Sequence, residues 1–180
     1  MRTFNNLADI EKYVKQNIKT VKLSNGKTME QIIKEEAERL AKIIRKKIGE
    51  MYLSYSPTVY ERTMDLINSL QVDSVVTKNG ELSIRVYFDD SANKPSVFND
   101  PKYHGPGTTQ YDDGYTAVLM NFGWRVGSGW HRDIEGFGYR QGSRFVEQGI
   151  EEWQKGNHIG LNVMVRVNAP GITGEWNFNP

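Results

Sequence analysis

Two acidic pairs, Asp89-Asp90 and Asp112-Asp113, and three histidines, His104, His131 and His158, are the residues best suited to acid–base or metal chemistry. Paired carboxylates divide into acid and base only where burial or crowding drives their pKa values apart. Both pairs are sequence neighbours in polar stretches, where two solvated carboxylates are the simpler reading. Each histidine falls in a separate loop or terminus, and none has a second ligand at the helical spacing of a His-Glu-x-x-His site. The absence of cysteine removes disulfides, thiolate catalysis and Cys-ligated zinc. Ser54, Ser56 and Ser128 lack the strand–turn–helix setting of a nucleophile elbow. Gly136, Gly138 and Gly142 approximate a dinucleotide loop, but Gln141 stands where the third glycine belongs. The residues thus give no foothold for catalysis, a cofactor or a metal.

A different chemistry is concentrated between residues 124 and 144. Trp124, Trp130, Phe137 and Tyr139 are interleaved with Arg125, Arg132, Arg140 and Arg144. Such a mixture can stack on bases and neutralise phosphates, and it is also the composition of protein–protein hot spots. With 23 basic and 22 acidic residues in the chain, protein contact is the favoured use.

These residues need elements to position them. Phe4, Leu7, Ile10, Tyr13, Val14 and Ile18 have helical spacing, which predicts an amphipathic helix over 5–19. Ser24-Asn25-Gly26 breaks it as a turn. Thr28 is an N-cap candidate for a long helix from Met29, whose apolar positions are Ile32, Ile33, Ala37, Leu40, Ala41, Ile43, Ile44, Ile48 and Met51. A loop over 52–60 and a short helix from a Thr63 cap to Leu70 follow. Alternation on both sides of Asn79-Gly80 predicts a hairpin with strands at 72–77 and 82–88. Residues 89–114 read as a long loop and 115–122 as a strand. Residues 123–142 read as a Gly/Trp/Arg excursion, 144–155 as a helix and 161–167 as a strand. Residues 168–180 read as an extended arm.

At 180 residues, with 38% apolar and 25% charged side chains, the chain fits one globular domain. The division is an N-terminal helix or arm over 1–27, a core over 28–167 and the arm over 168–180. The expected class is α+β: long N-terminal helices packed on a small antiparallel sheet, with long loops and a C-terminal arm. No apolar run reaches membrane-spanning length, and Met1 to Asn6 lack the apolar core of a signal peptide. Residues 1–60 hold 12 bases against 7 acids and the remainder 11 against 15. Oppositely charged halves suit head-to-tail stacking of copies.

The segment Tyr55-Ser56-Pro57-Thr58-Val59-Tyr60-Glu61-Arg62-Thr63-Met64-Asp65-Leu66-Ile67-Asn68-Ser69 resembles one in small morphogenesis proteins of tailed bacteriophages, the head–tail joining and tail-completion group. Those proteins follow a long charged helix and a Tyr/Pro loop with Tyr-x-Arg-Thr-Gly-x-Leu-x-x-Ser and a β-hairpin. Tyr60, Arg62, Thr63, Leu66 and Ser69 match, while Met64 replaces the glycine. Val118-Leu119-Met120-Asn121-Phe122-Gly123 resembles the group's strand ending in Phe-Gly, with Asn121 for the usual Glu. Arg144-Phe145-Val146-Glu147-Gln148-Gly149-Ile150 resembles the start of its last helix.

The resemblance implies a non-enzymatic virion component at the neck, located in the host cytoplasm during assembly. It implies a homo-oligomeric ring of six or twelve copies, adjoining connector, tail-terminator or tail-tube proteins, with double-stranded DNA in the channel. Interface residues are then expected at Tyr55, Pro57, Tyr60, Arg62, Thr63, His104, Tyr111, Trp124, Arg125, Trp130, Arg132, Phe137 and Arg140. No cofactor, metal or membrane is expected. Two other readings stay open: a nucleic-acid-binding module using 124–144, and a small hydrolase using His104 and Asp112.

Overall fold

The computed structural model describes residues 6–54, 64–89, 116–125, 139–156, 160–169 and 172–178. It combines helices with two-stranded antiparallel sheets, an α+β fold. Contacts sort the chain into two units, Met1–Ala41 with Gln71–Tyr87 and Lys42–Leu70 with Phe88–Pro180.

In the first unit, α1 (Leu7–Asn17) is capped by Asn6, whose side chain accepts from the Asp9 N–H at 2.9 Å. None of its residues is buried: Leu7, Ile10 and Val14 stay exposed. The turn at Gly26 leads to α2 (Met29–Leu53). Thr28 caps α2 through a reciprocal pair, the Gln31 N–H donating to Thr28 Oγ1 and the Thr28 N–H to Gln31 Oε1. This capping box satisfies two donors that the helix start leaves open. Ile32, Ala37, Leu40 and Ala41 form the buried stripe of this half of α2.

Asn79 and Gly80, both at positive φ, turn β2 (Val76–Lys78) into β3 (Glu81–Ser83). Two left-handed residues are what a type I′ hairpin requires. The predicted strands are interrupted, however. Beyond the hairpin, β1 (Leu70–Val72) pairs with β4 (Val86–Phe88). The flanking bonds Asp73 N–H to Arg85 O and Asp89 N–H to Ser69 O are one residue out of register with Val76↔Ser83. Val72 and Val75 are both half-buried, yet an unbroken pleat would send them to opposite faces. The extra residue between Asp73 and Val76 brings them to the same side, as a β-bulge does.

In the second unit, Ile44, Ile48 and Met51 line the buried face of the second half of α2. Against it packs α5 (Phe145–Gln154), with Phe145, Gly149, Ile150 and Trp153 buried. A Cβ on Gly149 would come within 2.7 Å of Ile44 Cγ1, so the helices touch where only glycine fits. Phe88 meets Phe145 edge-on at 5.9 Å. Each such fully buried side chain contributes roughly 1.5–3 kcal/mol.

Two expectations are corrected here. Residues 115–122 were expected as a strand, but Thr116–Phe122 is a helix, α4. Ala117 and Asn121 are buried on it, and the Asn121 side chain bonds the start of α5, a long-range contact that local spacing does not reveal. The second correction is the expected arm over 168–180. Its chain is extended but paired: β8 (Ile172–Phe178) folds back on β7 (Val163–Ala169) through seven consecutive pairs. Pairing satisfies backbone groups that a free arm leaves to water.

Candidate functional site

Of the expected interface residues, Trp124, Arg125 and Arg140 lie in described elements. β5 (Gly123–Arg125) pairs antiparallel with β6 (Tyr139–Gln141), placing Trp124 opposite Arg140 and Arg125 opposite Tyr139. Tyr55, Pro57, Tyr60, Arg62, Thr63, His104, Tyr111, Trp130, Arg132 and Phe137 lie outside the described residues, as do Asp112 and the rest of 90–114.

The base of the β5–β6 ribbon is built with care. A Cβ on Gly142 would sit 2.2 Å from the Asn121 carbonyl oxygen and 2.3 Å from the Phe122 carbonyl carbon, so only glycine allows the strands to leave the two helices here. Ser143 donates to the Met120 carbonyl with its N–H at 3.0 Å and with its Oγ at 2.8 Å. Arg144, at φ 53, starts α5 without a side-chain cap of its own. Asn121 supplies the cap instead. Its Oδ1 accepts from the Val146 N–H at 2.9 Å, its Nδ2 donates to Glu147 Oε2 at 2.8 Å, and its carbonyl accepts from the Arg144 N–H. The residue is 2% exposed. The side-chain cap of α5 is thereby donated by another helix, α4.

The segment from Met64 to Ser69 also has a physical logic. Met64, at φ 63 and ψ 5, adopts the left-handed conformation ahead of α3 (Asp65–Asn68). That conformation favours glycine, which is the residue the resembled pattern has there. Leu66 is 2% exposed, and Ser69 is fully buried with its hydroxyl donating to the Leu66 carbonyl at 2.9 Å. Arg45 of α2 donates to the Leu70 carbonyl. The left-handed Met64, Leu66 and Ser69 are thus a turn, an anchor and a stop for a one-turn helix. Beside Met64, Gly49, Tyr52 and Leu53 line an open apolar depression of about 320 Å³.

Charged contacts knit α2 to α5. Lys47 lies 2.7 Å from Glu152 and 3.3 Å from Glu50, and Lys46 lies 3.3 Å from Glu152. Hydrogen bonds from Lys47 and then Lys46 lower the Glu152 pKa, and bonds to Glu152 and Glu50 raise that of Lys47. Among the described residues, no three His, Cys, Asp or Glu side chains gather as metal ligands, and no helix is long and apolar enough to cross a membrane.

Asn121 and the β7–β8 ribbon are the features that sequence reasoning missed. The ribbon had a signal: Ile172, Gly174, Trp176 and Phe178 alternate after Pro170-Gly171, the mirror of the run before it. Trp176 stacks on Phe122 of α4 at 5.7 Å between ring centroids. No protein-family model, curated protein or solved structure matches the chain.

Proposed function

We propose that this chain is a structural assembly protein of a tailed phage or phage-tail-like particle, forming a homo-oligomeric ring of six or twelve copies at the neck. The observation that carries the reading is the conformation of Met64-Asp65-Leu66-Ile67-Asn68-Ser69. The resembled pattern has Gly, Leu and Ser at the first, third and last of these positions. Here they are a left-handed residue, a buried anchor and a buried hydroxyl that closes the turn. Its partners would be the connector, tail-terminator or tail-tube proteins on either side, with DNA in the channel. The Trp/Arg ribbon would supply contacts, set on the rigid base formed by Gly142 and Asn121.

The test is imaging of purified particles at side-chain resolution. The expected result is a closed ring of this chain between capsid and tail; particles that lack the chain refute the reading. Trp130→Ala should leave the thermal midpoint of the isolated protein unchanged and lower particle yield.

A second reading, nucleic-acid binding, draws on the register of Trp124 with Arg140 and of Arg125 with Tyr139. Aromatics and Arg together can stack on bases and neutralise phosphates. That reading requires binding to free DNA that weakens steeply with salt.

A further inference from the structure

The β7–β8 ribbon runs seven residues on each strand in a single unbroken register. No third strand pairs with it among the described residues. Two-stranded ribbons are marginal by themselves, and an open edge is a pairing template that proteins usually blunt with Lys, Pro or a bulge. Val163–Ala169 and Ile172–Phe178 contain neither Lys nor Pro, and their seven consecutive pairs leave no room for a bulge. Arg166 and Glu175 are their only charged residues, so little on either edge opposes pairing with a strand of opposite charge.

Charge selects the partner. The middle residue of β7 is Arg166 and the middle residue of β8 is Glu175, joined at 2.8 Å. Pairing β7 with β7 of another copy about its centre would set Arg against Arg, and pairing β8 with β8 would set Glu against Glu. Like charges directly opposite are destabilising in a ladder. We infer that the outer edge of β7 receives the outer edge of β8 from a second copy of this chain, head to tail. Arg166 then lies between two carboxylates, its own Glu175 and that of the next copy.

A contact between two different edges is heterologous, so it closes into a ring or continues as a filament. Opposite charges directly across a ladder stabilise it, and Arg166 and Glu175 are the only charged residues of the two strands. The register Arg166↔Glu175 therefore repeats between copies, and the ribbons join into one antiparallel band. This inference rests on the reading of the chain as a self-assembling ring and names the element that closes it.

The chain's lack of cysteine makes a clean test. Arg166→Cys and Glu175→Cys chains are prepared separately, mixed under assembling conditions and mildly oxidised. The expected product is the mixed disulfide dimer, with the two same-residue dimers lost. Native mass spectrometry of the wild type runs in parallel. An oligomer without enrichment of the mixed dimer overturns the edge contact and leaves the ring standing. A wild type that is monomeric both alone and in particles overturns both. A second pair of variants guards against misfolding. Successive residues of an edge strand point their N–H groups alternately inward and outward, so one of Val165→Pro and Arg166→Pro removes an outward donor and leaves the ladder intact. That variant should keep its circular dichroism and lose the oligomer; if every folded variant keeps the oligomer, the inference is wrong.

Discussion

Asn121→Ala is the sharpest test of how the second unit is held together. The substitution removes the acceptor of the Val146 N–H and the donor to Glu147 at a site only 2% exposed, where water has little access. Losing a helix cap costs about 0.5–2 kcal/mol, and a hydrogen bond to a charged group contributes about 1.5–3 kcal/mol. Together they predict a loss of about 3 kcal/mol. With a urea slope of about 2 kcal/mol/M, the unfolding midpoint should fall by ~1.5 M. Asn121→Asp separates the two bonds. It keeps the acceptor for the Val146 N–H but faces Glu147 with a carboxylate in place of a donor, so its loss of stability isolates the Glu147 contact. Urea titrations of both variants read these effects. A loss below ~0.5 kcal/mol for Asn121→Ala would put that site among ordinary surface changes and refute the inter-helix cap.

Three more outcomes follow from local geometry. Met64→Gly should stabilise the protein by about 0.5–1 kcal/mol, because the left-handed backbone at φ 63 costs a side-chain-bearing residue more than the added chain entropy costs glycine; a thermal melt reads the sign. Gly149→Ala should cost about 1–2 kcal/mol despite alanine's helix propensity, since its Cβ would crowd Ile44 Cγ1. Adding Ile44→Ala should give a double-mutant coupling of about 1 kcal/mol in the relieving direction, and strict additivity would count against the close contact. Glu152→Gln should flatten the acid limb of the stability–pH profile. The Glu152 pKa is lowered in the folded state, so its contribution is present above the ordinary carboxylate range and is lost as pH falls through the folded value. The Lys47 pKa is raised, so its contribution is lost only at alkaline pH, above the ordinary lysine range; an unchanged acid limb would discount the bridge.

The sequence made the long helix legible because its stripe and its cap are local. Ile32 to Met51 recur at helical spacing, and Thr28 needs only Gln31 to close its box. Asn79-Gly80 is equally local, since two positive-φ residues in a row leave little choice of turn. The register break was hidden because Val72 and Val75 betray it only once their shared burial is known. Val118-Leu119-Met120 reads alike at either period, and what decides for α4 is Asn121 reaching residues 25 and 26 further along the chain. No window of sequence contains that bond. Trp124, Arg125 and Arg140 could be named from composition, but that Trp124 stands opposite Arg140 in the register needed the ladder. The role of Gly142 needed the Asn121 backbone beside it.

The seven residues of α4 carry two joints at once. Asn121 fastens the start of α5, and the adjacent Phe122 receives Trp176 from the ribbon. Ala117 is buried and the Met120 carbonyl is claimed twice by Ser143. Saturation mutagenesis should therefore find Ala117, Asn121 and Phe122 of this two-turn helix far less tolerant of replacement than the three-turn α1, where no side chain is buried.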